Sequence, residues 1–141
     1  MGSTYSQLRL IHFAFVTTCF MYFGLLIYLK LPESQVPAVF PLALGFGAIS
    51  TISVGLILRQ RLVMAPAAAL ASDPENKAVL RRWRGGNIVS FAFAESIMLF
   101  GVVLKFMGER WNIVAVFFAA GLLMLLLWTP KKIEAPPPGV R

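Results

Sequence analysis

The sixteen residues FAFAESIMLFGVVLKF, 91–106, are apolar apart from Glu95, Ser96 and Lys105. If this run belongs to a bilayer-crossing helix that begins at Asn87, Glu95 is the ninth of twenty residues and sits near mid-depth. An ionised carboxylate costs about 2.5 kcal/mol or more there. The group must therefore be neutral, be bonded to a neighbouring helix, or face a polar cavity or a partner subunit. The chemistries open to it are carriage of a proton or ion and interhelical adhesion. Its expected polar neighbours are the hydroxyls of Thr17 and Thr18 in a first apolar run and of Ser50, Thr51 and Ser53 in a second. Lys105 lies ten residues further along, about 15 Å on a helix axis, and is expected to snorkel to the interface.

His12 is the only histidine. An imidazole in a membrane helix can ligate haem iron or a chlorophyll magnesium, but one histidine per chain rules out a bis-histidine haem within a single copy. A position at headgroup level is the simpler expectation for His12. The aromatic side chains Phe13, Phe15, Phe20, Tyr22, Phe23 and Tyr28 cover more than one face of the same run; they suit lipid, subunit, quinone or pigment contact. No cofactor is required by the sequence. The single cysteine, Cys19, excludes an internal disulfide and reads as small apolar filler. With no glycine-rich phosphate loop, no serine–histidine–acid set and no pair of acids placed for acid–base work, an enzyme is not expected.

The elements that position these groups follow from composition. Of 141 residues, 58% are hydrophobic and 13% charged, against about 25% charged in soluble domains. The apolar residues fall into four long runs, continuous rather than alternating, which predicts an all-α integral membrane protein and excludes a β-barrel. The expected transmembrane helices cover about 10–29, 38–58, 87–106 and 112–129. The first is too long for a signal-peptide core and reads as a retained helix. Lys30, Pro32 and Pro37 should break the chain between the first two helices. Trp111 and Trp128 bracket the fourth as interfacial anchors.

Four crossings put both termini and segment 59–86 on one side. That side holds ten basic residues, Arg9, Arg59, Arg61, Lys77, Arg81, Arg82, Arg84, Lys131, Lys132 and Arg141, against Lys30, Lys105 and Arg110 on the other. The positive-inside rule then makes the termini cytoplasmic, in a membrane of the bacterial inner type. The net charge of +7 is accounted for by this topology and by anionic headgroups, with Arg81, Arg82 and Arg84 as lipid or partner contacts. Nucleic-acid binding is not expected. The domain reading is one four-helix transmembrane unit, 1–129, followed by a proline-rich cytoplasmic tail, 130–141. Within cytoplasmic loop 59–86 a short amphipathic helix should start at Pro74, capped by Ser72 or Asp73. It should end at Gly85 and Gly86, which turn the chain into the third span.

The stretch ASDPE followed by FAFAESIMLFGVVLKF resembles the second half of the proteolipid c subunit of rotary ATP synthases. The matching residues are Pro74, Glu75, Glu95, Phe100, Gly101, Val102 and Val103, within 38–106. The resemblance implies a polar cytoplasmic loop leading into a helix whose carboxylate, here Glu95, carries the transported proton or sodium ion. Asp73 stands where that family has a loop arginine, and Phe46, Ile49 and Ile52 replace the small residues of its glycine-zipper helix. The overall expectation is a small non-catalytic subunit of a larger, bioenergetic inner-membrane complex, bound to lipids and to larger subunits or copies of itself. The alternatives are a proton- or ion-handling protein working through Glu95, and a membrane assembly factor.

Overall fold

The computed structural model of the protein describes residues 2–131 and residue 133. Within them the chain is helical, and no strand occurs among the described residues. The helices are α1 (Gly2–Leu29), α2 (Val39–Arg59), a π-helical segment (Gln60–Met64), α3 (Ala65–Ser72), α4 (Lys77–Phe106) and α5 (Trp111–Leu127). Because α2, the π segment and α3 are continuous, they form one rod of 34 residues, about 51 Å at 1.5 Å per residue. This rod, α1 and α4 are each long and apolar enough to cross a membrane, and α5 is a shorter apolar helix of 17 residues.

The predicted ends at Leu29 and Phe106 coincide with observed ones. Lys30 turns out of α1 with φ 45°, and Pro32 and Pro37 keep 31–37 out of regular helix. Gly108, with φ 96°, closes α4. There the Glu109 N–H donates to the Leu104 carbonyl and the Gly108 N–H to the Lys105 carbonyl, each at 3.0 Å. This is the paired Schellman arrangement, in which glycine takes the left-handed residue without steric cost.

Segment 59–86 departs from expectation. It is neither loop nor short surface helix: α2 runs on through Ser72, and α4 starts at Lys77 and passes straight through Gly85 and Gly86. Ser72 ends a helix rather than starting one, its Oγ donating to the Ala69 carbonyl at 2.9 Å. The α4 N-cap is Asn76, whose side chain accepts from the Val79 N–H at 3.2 Å, so Pro74 and Glu75 belong to the intervening turn. A short asparagine side chain ahead of Lys77 serves as the cap that the sequence reading assigned to Ser72 or Asp73.

Pro66 explains the π segment. It has no N–H to give the Leu62 carbonyl, and its ring would crowd that oxygen in a regular helix. Upstream the helix widens, the Ala65 N–H reaching back five residues to the Gln60 carbonyl. The Leu62 carbonyl then lies against the backbone of Gly86, where a Cβ would collide with it. Gly86 therefore serves close approach between the two rods rather than a turn.

Helix α4 is central. It packs extensively on both the α2–α3 rod and α5, and on α1 along a third side. The rod runs antiparallel to α4: Gly47 faces Phe100, Gly55 faces Phe93, and Gly86 faces Leu62. Helix α5 is antiparallel as well, with Gly101 against Phe117 and Gly121 against the Ala94 carbonyl and Met98. Helix α1 runs parallel to α4, pairing His12 and Phe15 with Phe91 and Cys19 with Met98. One buried core, including Phe91, Ala94, Ile97, Met98, Leu104 and Leu125, joins all four rods. A smaller cluster of Leu8, Val63, Leu70 and Trp83 closes the end that carries most of the arginines. The expected tail, 130–141, lies outside the described residues except for Pro130, Lys131 and Ile133.

Candidate functional site

Glu95 projects from the edge of α4 that faces α1 and is half-buried. The Tyr22 side chain and that of Cys19, one turn earlier on α1, lie near its carboxyl group, and the Cys19 thiol contacts the Met98 sulfur. Because α1 and α4 are parallel and side chains tilt back toward the helix N-terminus, Tyr22 reaches back toward the level of Glu95. The result is a carboxyl group with a phenol and a thiol beside it, partly open on its outer side.

The hydroxyls expected around Glu95 are engaged elsewhere. Thr17 donates to the Phe13 carbonyl at 2.9 Å, Thr18 to Ala14 at 3.0 Å, Thr51 to Gly47 at 2.8 Å and Ser53 to Ile49 at 2.9 Å. Ser50 is exposed on α2. In a medium without water, a serine or threonine satisfies itself on the carbonyl four residues back. Each of the four bonded hydroxyls thus turns to its own helix backbone and not to Glu95. Tyr22 was read only as one of several aromatic contacts. The signal that could have found it is a phenol on a helix parallel to α4, and the parallel register is not a property of either helix alone.

His12 is placed between helices. Its Nε2 lies 2.8 Å from the Leu125 carbonyl, and its ring is tilted against Phe91 with centroids 5.0 Å apart. Leu125 is in the last turn of α5, where carbonyls lack intrahelical partners. The neighbouring carbonyls are met by the Trp128 N–H on Met124 and the Thr129 hydroxyl on Leu126. With Nε2–H donating, His12 completes the C-terminal cap of α5 and ties it to α1. His12→Phe keeps the ring packing and orphans that carbonyl. The expected cost is about 1–2 kcal/mol, read as a lower unfolding midpoint in detergent.

At the opposite end Lys105 does not snorkel. It is 1% exposed, its Nζ donating to the Glu109 carbonyl at 3.1 Å, 3.7 Å from Glu33 Oε1 and 4.8 Å from the centre of the Trp111 ring. Glu109 is also buried, and its Oε1 accepts the Arg110 N–H at 3.0 Å. Ser34 joins the two turns: its N–H donates to the Gly108 carbonyl and its Oγ to the Met107 carbonyl, both at 2.9 Å. The turn 107–110 and the loop 30–38 thus form a lid on this end, and Lys105 is pinned beneath it because the lid leaves its ammonium no outward path.

Arg81, Arg82 and Arg84 are exposed on the first turns of α4, with Trp83 turned inward among them. Among the described residues no group of three or more histidine, cysteine or acidic side chains could hold a metal ion. Comparison with protein-family models, with curated proteins and with solved structures gave no match.

Proposed function

We propose that this protein is a small non-catalytic subunit of a larger, bioenergetic membrane complex. It crosses a bacterial-type inner membrane four times with both termini in the cytoplasm. The excess of basic residues at the end bearing the 73–76 turn supports that orientation. The observation that carries the subunit reading is the half-covered state of Glu95. A carboxyl group at mid-depth that one phenol only partly shields would otherwise meet hydrocarbon, and a partner helix laid along the α1–α4 edge covers it. Helices α1 and α2 agree with this. Only 11% of the apolar stretch of each is buried, against 44% in α4, which leaves broad apolar faces for lipid and partner.

A second reading is favoured by the same cluster. Tyr22 and Cys19 beside Glu95 make a small set of exchangeable protons, and the resemblance to the c subunit nominates Glu95 as a proton or ion carrier. A third role, that of an assembly factor, would leave the protein bound to its partner only transiently.

Purification of the tagged protein in mild detergent, followed by identification of co-eluting chains, tests the first reading. The native protein is expected to elute with larger subunits. Glu95→Leu, which removes the hydrogen-bonding head, should release them, whereas Glu95→Gln should retain them. A monodisperse single chain from both the native protein and Glu95→Leu would refute the subunit role. Fast, pH-dependent modification of Glu95 by dicyclohexylcarbodiimide, with transport abolished in Glu95→Gln, would replace it with the carrier reading.

A further inference from the structure

A cavity of about 470 Å³ opens at the arginine-rich end, between the α2–α3 rod, the start of α4 and the chain that follows α5. Its volume lies in the range of roughly 300–1,000 Å³ typical of small-ligand sites. One wall is built by Arg59, Val63, Ala67 and Ala71, every fourth residue along the rod. The two alanines leave the space that larger side chains at this spacing would fill. Opposite them stand Trp83 and Asn87, one turn apart on α4, and Lys131 and Ile133 close the third side.

The polar groups of this cavity are under-satisfied. Asn87 is 1% exposed; its Nδ2 donates to the Trp83 carbonyl at 2.9 Å, but its Oδ1 has no partner. The Arg59 guanidinium lies 5.3 Å from the centre of the Trp128 ring, and its buried Nη1 has no acceptor. No acidic side chain among the described residues pairs with Arg59 or Lys131. A buried donor or acceptor left unmade costs about 1–3 kcal/mol, so the cavity is short of one anionic acceptor and one hydrogen-bond donor.

We propose that this cavity binds the headgroup of an anionic glycerophospholipid whose headgroup carries hydroxyls, of the phosphatidylglycerol class. The phosphate diester accepts from Arg59 and Lys131, and a headgroup hydroxyl donates to Asn87 Oδ1. Met64 and Leu127 give the apolar flank along which the acyl chains leave. A zwitterionic choline headgroup has no donor for Asn87, and it brings a cation toward Arg59. The inference rests on the membrane reading, with this end at the anionic cytoplasmic leaflet, and is independent of Glu95.

Tryptophan quenching tests it, since Trp83 lines the cavity and Trp128 stacks on Arg59, whereas Trp111 lies at the other end. The full-length protein is reconstituted in phosphatidylcholine bilayers and titrated with brominated phosphatidylglycerol or brominated phosphatidylcholine. Quenching by the phosphatidylglycerol is expected to saturate at a mole fraction about five- to tenfold lower. Arg59→Gln combined with Lys131→Gln should remove that preference, whereas Lys30→Gln combined with Arg110→Gln, exposed at the opposite end, should keep it. Ala67→Leu fills the cavity, leaves every charge in place and should also remove it, so the test does not depend on one variant folding. Equal quenching by the two lipids, or a preference that survives Ala67→Leu, would overturn the proposal. Displacement of the brominated lipid by low-millimolar inorganic phosphate would identify a free-anion site and overturn it equally.

Discussion

Lys105→Ala is expected to lower stability by about 2–4 kcal/mol and to open both turns at its end of the molecule. The loss has two sources. Truncation leaves a cavity where the buried four-carbon stem packed, and the lid does not collapse freely because Ser34 still ties loop 30–38 to Met107 and Gly108. The Glu109 carbonyl also loses its donor. The ion pair contributes less: Glu33 is 52% exposed at 3.7 Å, and a pair open to water on one side is worth about 1 kcal/mol at most. Lys105→Met separates these terms, because it fills the stem's volume without the ammonium. It should cost less than half as much as the alanine variant. Denaturant titration in detergent gives the stabilities, and limited proteolysis at 30–38 reports on the lid. Unchanged stability and cleavage in Lys105→Ala would refute the pinned-lysine description.

Gly86→Ala and its neighbour Gly85→Ala should move stability in opposite directions. A Cβ at Gly86 would run into the backbone carbonyl of Leu62, which cannot rotate away as a side chain could. The rods must separate at the π segment, at a cost of about 1–3 kcal/mol. A Cβ at Gly85 meets nothing within 4 Å, so alanine there should stabilise the helix by roughly 0.5–1 kcal/mol. Thermal unfolding of the two variants in one detergent makes the comparison direct. If Gly86→Ala matched the native protein, the two rods would not approach as closely there as described. If both variants were destabilised alike, the chain would bend at the pair instead of passing straight through it.

The arginine-rich end shows why a loop was expected where two helices continue. Polar and charged residues between apolar runs suggested a connection, since the bilayer is what demands apolar side chains. Helix formation itself does not require them. Ala65 to Ser72 and Lys77 to Arg84 are mostly good helix formers, and the rods gain further by packing Val63, Leu70 and Trp83 against Leu8. Hydropathy therefore located the stretches that suit lipid, while the helices end where Asn76, Gly108 and Lys30 end them. The Gly85–Gly86 pair was misjudged for a related reason: glycine marks a turn or a close approach equally well, and only the Leu62 carbonyl opposite distinguishes them.

Local physics was legible in the sequence alone. Continuous apolar runs excluded a barrel and demanded helices, and prolines 32 and 37 broke the chain after Lys30. What only the tertiary structure decided was the partner of each polar group. Glu95 met Tyr22 instead of the hydroxyls at its own depth, His12 met an orphaned carbonyl of α5, and Lys105 was sealed under two turns. The helices are apolar on nearly every face, so the pattern along each strand of sequence carries little information about its rotation or its neighbours. Those are set by where Gly86 and Gly121 allow backbones to touch, a relation between segments far apart in the chain.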